Sequence, residues 1–170
     1  NVELNQYLLA NGFLVTCMSE DMRGSLWIGT YGGGLIRIQS SGKGNFEVFN
    51  SKGSRCGPPS DHYFSMTRHE SGIIMAGSID RGLVTIRADR LARLIPDCGT
   101  QIGLSGSVVT ALYMSRNGIL WVGFMDGLDR VDLRKGSVRT LKSLTGPEGE
   151  LPLRNICYVG EDNHDNLMVG

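Results

Sequence analysis

The sequence of 170 residues predicts an all-β fold, because short apolar stretches bounded by glycine recur along it at a nearly constant interval. They are Gly24-Ser-Leu-Trp-Ile-Gly29, Gly72-Ile-Ile-Met-Ala-Gly77 and Gly118-Ile-Leu-Trp-Val-Gly123, followed by Asp165-Asn-Leu-Met-Val-Gly170. The closing glycines of successive stretches lie 48, 46 and 47 residues apart. A period of this length built on short strands is typical of a β-propeller with one four-stranded blade per repeat. We therefore predict a β-propeller fragment of about three and a half four-stranded blades.

The first strand of each repeat precedes the glycine-bounded stretch. Apolar residues recur nine positions before each stretch and again three positions later: Val15 and Met18, Tyr63 and Met66, Val109 and Leu112, Ile156 and Val159. A polar segment rich in Gly, Asn and Asp then leads into the stretch, and such segments suit tight hairpins. A strand and a hairpin turn are expected at this point in all four repeats.

The glycine-bounded stretch predicts the second strand, and two shorter runs predict the third and fourth. Leu26, Trp27 and Ile28 are apolar on both faces, as in a strand that neighbours cover on both sides. The third strands are expected at 35–38, 83–86 and 128–131, and the fourth at 46–49, 91–95 and 138–141. No stretch shows a sustained helical period, so no helix is expected. The repeats then span approximately 13–60, 61–106, 107–153 and an incomplete 154–170.

The fourth repeat stops at the end of its second strand, so we expect the chain to be part of a larger ring. Closed propellers usually have about 4–8 blades. An alternative is that two copies of the chain complete one another and close a ring of about seven blades. The partner is therefore the rest of a larger propeller or a second copy.

Charge and cysteine content exclude several classes of protein. Seventeen basic and seventeen acidic side chains balance, and no basic stripe points to nucleic acid. No apolar run is long enough to span a membrane. The four cysteines show no C-x-x-C spacing, so neither a metal site nor a cofactor is expected. We expect Cys17 and Cys157 to be buried thiols, whereas Cys56 and Cys98, in blade-connecting loops, could pair only in an oxidising compartment.

The candidate ligand-binding residues lie in the loops between the second and third strands. These loops share one face of a propeller with the blade-to-blade loops, and they differ between repeats while the strands stay alike. They carry Tyr31, Asp80, Arg81 and Asp126, which we predict as ligand-binding residues. The run of glycines at 32–34 precedes a strand rather than a helix, so a turn explains it better than a phosphate cradle.

Three other features have structural and functional interpretations. Trp27 and Trp121 share their repeat position with Met75 and Met168, so we expect packing between blades rather than a stacking platform. His62 follows Asp61, but neighbours on an extended chain point to opposite faces. A propeller enzyme, a lyase or glycan-active protein using His62 and loop carboxylates, nevertheless stays an alternative, although no G-x-S-x-G or H-E-x-x-H motif is present. A second alternative is a protein-interaction scaffold, which a broad apolar patch on the loops would favour.

The first and third repeats resemble the two-component regulator propeller repeat. That pattern has an apolar strand, an Asp-x-x-Gly turn, Leu-Trp-Ile-Gly-Thr and Gly-Leu, which residues 15–35 follow closely. The second repeat departs at Met75, Ala76 and Ser78, and the third has Phe124 in place of Thr and Arg116 in place of Asp.

The resemblance covers about residues 13–170 and implies the extracytoplasmic sensor region of a hybrid two-component system. In that family such regions belong to membrane-bound histidine kinases of Bacteroidetes, and many members sense products of glycan breakdown. For this chain the resemblance implies a periplasmic, non-catalytic sensor or scaffolding segment that binds a small molecule or oligosaccharide. The kinase itself would lie elsewhere in the parent protein.

Overall fold

The structure, a computed structural model, describes residues 2–40, 45–52, 58–87, 93–95, 103–147 and 149–170. These described residues form one helix and a series of antiparallel sheets. The helix is α1 (Val2–Asn11), and the first sheet contains β1 (Leu14–Glu20), β2 (Leu26–Tyr31), β3 (Leu35–Ile38) and β4 (Phe46–Phe49). The second contains β5 (Tyr63–Arg68), β6 (Ile74–Ser78), β7 (Leu83–Arg87) and β8 (Arg93–Ile95). The third contains β9 (Val109–Met114), β10 (Ile119–Phe124), β11 (Gly127–Asp132) and β12 (Ser137–Leu141). Two hairpins follow, β13 (Ser143–Gly146) with β14 (Gly149–Pro152), and β15 (Val159–Glu161) with β16 (Leu167–Val169).

The first three sheets are four-stranded meanders, and they form the blades of a propeller fragment. Each runs in the order first, second, third, fourth strand, so neighbours in sequence are neighbours in space. We number these sheets blade 1 to blade 3, and β15–β16 is the first half of blade 4. The prediction of an all-β propeller fragment of about three and a half blades is confirmed.

The two faces of each blade pack against different neighbours, and equivalent residues of the repeat lie on the same face in every blade. We call the face that contains Trp27 and Leu35 in blade 1 the forward face, because it packs on the next blade. We call the face that contains Ile28 and Ile36 the rear face. The rear-face residues of blade 2, which include Ala76 and Val84, pack against the forward face of blade 1. Blades 2 and 3 and blades 3 and 4 meet in the same way, so the hydrophobic core lies between the blades.

The closing glycine of each repeat permits this close approach. A Cβ atom added at Gly77 would lie 2.4 Å from Cγ1 of Val109, the residue of blade 3 that packs over it. At Gly123 it would lie 2.7 Å from Cγ2 of Ile156 in the same relation to blade 4. Ordinary carbon contacts are about 3.5–4.0 Å. The glycine spacing seen in the sequence is therefore the spacing of the blade interfaces.

Two features of secondary structure were not predicted. The expectation of no helix is wrong, because α1 packs Leu4, Tyr7 and Leu8 onto the rear face of blade 1. This stripe occupies positions i, i+3 and i+4 of a ten-residue helix, which is shorter than the window in which a helical period stands out. The hairpin β13–β14 between blades 3 and 4 was also missed, since it belongs to no repeat.

Some side chains that were expected to be buried are exposed to the solvent. Cys17 is half-buried, but Cys157 is exposed. It precedes β15 and holds the repeat position of Thr16 and Phe64, where blades 1 and 2 have a register shift. Trp27 is fully buried and Met75 is nearly so, whereas Met168 on the forward face of blade 4 is 42% exposed. Cys56 and Cys98 lie outside the described residues.

Candidate functional site

The loops between second and third strands are short turns braced by a hydroxyl group. In blade 1 the Thr30 hydroxyl donates to the Gly34 carbonyl at 2.8 Å and accepts from the Gly33 N–H at 3.0 Å. Ser78 makes the same pair of bonds in blade 2. Blade 3 has the buried Phe124 at this position and a turn one residue shorter. The three glycines at 32–34 are thus part of a turn, and the Phe13 ring packs over Gly33.

Each of these turns is hydrogen-bonded to the loop that enters the next blade. The N–H groups of Gly32 and Gly34 donate to the Asp61 carbonyl at 2.9 and 3.0 Å. In blade 2 the Gly82 N–H donates to the Ser107 carbonyl at 2.9 Å. We call the surface formed by the turns at 31–34, 79–82 and 125–126 and the connecting loops at 58–62, 103–108 and 153–156 the loop face. Its backbone is fixed by the blades beneath it.

An aromatic cluster of Tyr31, His62 and Phe64 lies on the loop face between blades 1 and 2. Tyr31 forms an isolated β-bridge with His62, and the centroids of the two rings are 4.5 Å apart. The Phe64 ring meets Tyr31 edge to face, with centroids 6.1 Å apart. Tyr31 is 45% exposed and Phe64 is 40% exposed. The cluster therefore presents two aromatic rings to the solvent.

Phe64 occupies a position that has a structural role in the neighbouring blades. The innermost strands of blades 1, 2 and 3 each contain a register shift, at Thr16, Phe64 and Thr110. The Thr110 hydroxyl lies 3.1 Å from the Gly123 carbonyl of its own blade and 2.5 Å from the Ile156 carbonyl of the next. Phe64 has no hydroxyl and cannot make this connection. Such bulges re-aim side chains and are frequent near functional sites.

The other predicted ligand-binding residues lie in neighbouring turns of the loop face. Asp80 and Arg81 form an exposed ion pair, with Nε of Arg81 3.9 Å from a carboxylate oxygen of Asp80. The Lys142 ammonium group is 2.8 Å from the Asp126 carbonyl and 3.2 Å from its carboxylate. Asp126 borders a cleft of about 510 Å³. The other lining residues are Met125, Lys142, Pro152, Leu153 and Arg154. No described hydrogen bond or ring contact joins Tyr31 to Asp80, Arg81 or Asp126.

His62 and Asp61 do not form an acid–base pair in the described structure. Both carboxylate oxygens of Asp61 accept hydrogen bonds from Ser51, one from its N–H and one from its hydroxyl, each at 2.7 Å. Nδ1 of His62 is buried without a hydrogen-bond partner among the described residues. Within those residues, no hydrogen bond or ion pair joins the His62 ring to a carboxylate.

The opposite ends of the blades carry the turns between first and second strands, which are braced by a side chain at a fixed position. Asp21 accepts bonds from the N–H groups of Arg23 and Ser25 and from the Trp27 indole. Burial alone would raise the pKa of Asp21, but these hydrogen bonds outweigh it and the net pKa is lowered. The equivalent residue of blade 3 is Ser115, which accepts from the Ile119 N–H. The alignment that placed Arg116 at this position is therefore wrong by one residue.

The described residues contain no metal-binding group and no membrane-spanning helix. Across those ranges, no set of three or more His, Cys, Asp and Glu side chains is placed to hold a metal ion. Likewise, no helix there has the length and apolar character needed to cross a bilayer.

Comparison with known protein families identifies the repeats. The model of the two component regulator propeller family matches residues 9–32 and 103–126, which include the β1–β2 and β9–β10 hairpins. The chain contains two component regulator propeller repeats. This confirms the resemblance seen in the sequence. No curated protein matches the chain.

Solved structures similar to these propeller repeats share the fold. The extracellular domain of a protein described as a hybrid two component system from B. thetaiotaomicron superposes with a TM-score of 0.71 at 19% identity, over 92% of this chain and 20% of that chain. Virginiamycin B lyase from Staphylococcus aureus gives a TM-score of 0.60 at 17% identity, over 91% of this chain and 48% of the enzyme. The PQQ domain of pyranose dehydrogenase from Coprinopsis cinerea gives a TM-score of 0.59 at 16% identity, over 94% of this chain and 46% of that domain's chain. The repeats thus span a fifth to about half of the proteins they match.

Proposed function

We propose that this chain is a non-catalytic sensor segment of an extracytoplasmic propeller, and that its loop face binds a small ligand, an oligosaccharide in particular. The family of the repeats and the extracellular two component domain with the same fold support the sensor role. The observation that carries the ligand-binding role is the aromatic cluster, which leaves Tyr31 and Phe64 half-exposed on a fixed backbone.

The chemistry of the loop face suits a sugar ring. A pyranose has apolar C–H faces that pack on aromatic rings and hydroxyl groups that need polar partners. In the proposed site, Tyr31 and Phe64 supply the aromatic surface. Asp80, Arg81 and Asp126 are the proposed hydrogen-bonding residues at the neighbouring turns, where an oligosaccharide longer than one ring would reach them. Binding sites of this kind combine an apolar surface with a few placed polar groups.

Signalling requires that the ligand distinguish two arrangements of the protein. A ligand shifts an equilibrium only by its difference in affinity for the two states. Tyr31 belongs to blade 1, whereas His62 and Phe64 begin blade 2. A ligand packed on this cluster therefore contacts both blades and would favour one relative position of the two.

The test is a titration of the isotopically labelled chain with cellotriose, xylotriose, maltotriose and a chondroitin disaccharide, followed by NMR of backbone amides. We expect at least one of these probes to shift the amides of residues 31–34 and 62–64. Tyr31→Ala should remove the shifts, whereas Tyr158→Ala should keep them, because Tyr158 is a similarly exposed tyrosine in blade 4. The absence of shifts with all four probes, or shifts that survive in Tyr31→Ala, would contradict the proposed site.

A further inference from the structure

A small cleft lies between the turns of blades 2 and 3 that join first to second strands, at the ends of the blades opposite the loop face. We call it the turn cleft, and its volume is about 250 Å³. The lining residues are Arg68, His69, Glu70, Met114, Ser115, Arg116 and Gly118. Pockets that hold drug-sized ligands measure about 300–1,000 Å³, so the turn cleft suits one small group rather than a whole ligand.

The side chain that braces the blade 2 turn is a histidine. His69 holds the repeat position of Asp21 and Ser115, and its Nδ1 accepts a hydrogen bond from the Ser71 N–H at 3.1 Å. The Ser71 hydroxyl is 2.7 Å from the same atom. Because a backbone N–H can only donate, Nδ1 is the acceptor, and the proton of the neutral ring lies on Nε2. Among the described residues Nε2 has no hydrogen-bond partner, so His69 brings a free N–H donor to the cleft.

Arg68 brings a positive charge that no described carboxylate neutralises. Its Nη1 donates to the Glu20 carbonyl of blade 1 at 3.2 Å, and within the described ranges it forms no ion pair. The same repeat position holds Glu20 in blade 1, Met114 in blade 3 and Glu161 in blade 4. The repeat itself therefore does not require a base at this position.

The other charged groups of the turn cleft have partners of opposite charge. Nη1 of Arg116 is 2.8 Å from a carboxylate oxygen of Asp165 in blade 4. A carboxylate oxygen of Glu70 is 3.8 Å from Nη2 of Arg134. These pairs cancel, so the net charge of the cleft is the positive charge of Arg68.

We propose that the turn cleft binds an oxyanion, namely a sulfate, phosphate or carboxylate group, between the guanidinium of Arg68 and the Nε2–H of His69. A guanidinium presents its N–H groups in a planar fork that matches two oxygens of such a group. The Glu20 carbonyl holds Arg68 and the Ser71 N–H fixes the tautomer of His69, so both donors are oriented before the anion arrives. Such preorganisation lowers the cost of binding. This site lies on the face opposite the proposed oligosaccharide site and does not depend on it.

The test is a titration of the isotopically labelled chain with sodium sulfate, sodium phosphate or sodium glucuronate, followed by NMR of backbone amides. Sodium chloride keeps the ionic strength constant. We expect at least one anion to give saturable shifts at residues 68–72 and 114–118, and the tightest binder identifies the preferred group. Arg68→Gln should weaken that binding about tenfold or more, because hydrogen bonds from a charged group are lost. Arg23→Gln is the matched control and should leave it unchanged, since Arg23 is an exposed arginine in the equivalent turn of blade 1.

A second variant removes the other donor and keeps the turn. His69→Asp places at this position the carboxylate that braces the turns of blades 1 and 4 through Asp21 and Asp162. The turn should therefore form, whereas anion binding should be lost.

Three outcomes would overturn the proposal. The first is the absence of saturable shifts with all three anions, and the second is binding of equal strength in Arg68→Gln and the wild type. The third comes from the wild type alone and does not depend on the folding of any variant. A long-range ¹H–¹⁵N spectrum at pH 8 should show His69 as the Nε2–H tautomer, and the Nδ1–H tautomer would remove the donor on which the site depends.

Discussion

Replacing Gly77 by alanine tests whether the spacing of the glycines is the spacing of the blade interfaces. The added Cβ atom would lie 2.4 Å from Cγ1 and 2.9 Å from Cβ of Val109, and 2.8 Å from the Ser65 hydroxyl oxygen. Val109 is fully buried at the interface of blades 2 and 3. Its side chain cannot rotate away from the new methyl group, because its own Cβ atom is also too close. The two blades must therefore separate locally.

The cost follows from the size of this overlap. A carbon contact of about 3.5–4.0 Å is ordinary, so the interface must open by more than about 1 Å at this point. Overpacking of a well-packed core costs about 1–3 kcal/mol, and an overlap with three atoms places Gly77→Ala near 3 kcal/mol. Gly146→Ala is the matched control, because the nearest atom to its added Cβ is 3.9 Å away. It should change the free energy of unfolding by less than about 1 kcal/mol.

The assay is equilibrium unfolding in urea followed by the fluorescence of the two tryptophans, the buried Trp27 and the partly buried Trp121. Val109→Ala alone should destabilise the protein by about 2 kcal/mol through the cavity it leaves. In the double variant Gly77→Ala with Val109→Ala, the smaller side chain relieves part of the overlap. The loss should then be less than the sum of the two single losses by about 1 kcal/mol or more. Strictly additive losses, or a Gly77→Ala protein as stable as the wild type, would refute the steric argument.

Two further predictions concern groups outside the loop face. Asp21→Asn should lower the free energy of unfolding at pH 7 by about 1–3 kcal/mol, because its amide N–H would face the indole N–H of Trp27. The pKa of Asp21 is lower in the folded than in the unfolded chain, so its ionised form stabilises the protein above about pH 4. That contribution is lost as the pH falls through the pKa of Asp21 in the folded protein. Urea titrations between pH 7 and pH 3 should therefore show a smaller decrease in the free energy of unfolding for Asp21→Asn than for the wild type. Iodoacetamide at pH 8 should label the exposed Cys157 well before Cys17, because burial raises the pKa of Cys17 to about 11, which leaves Cys17 with about a hundredfold less thiolate than an ordinary cysteine has. Peptide mapping that found Cys17 labelled as fast as Cys157 would contradict this assignment.

The proposed site shows which of its residues could be selected from the sequence and which could not. Tyr31 could be selected from the sequence, because its turn varies while the strands beside it repeat. Phe64 was missed, although comparison with Thr16 and Thr110 at the same repeat position was available in the sequence. The sequence alone does not show why the repeat position of Phe64 is structurally unusual. Only the register shifts of β1, β5 and β9 show that its side chain leaves the regular ladder.

The sequence by itself determined the architecture of this protein, because a propeller blade is encoded locally. Each repeat contains its own strands and turns, and the closing glycine records the approach of the next blade, so a period near 47 residues carries the fold. Only the tertiary structure shows which elements pack against the exposed faces and loops of the blades. The packing of α1 on blade 1 and the contact of Tyr31 with Phe64 join residues that no period relates. Such contacts depend on which surfaces remain uncovered after the blades have formed, and a repeat pattern contains no information about that.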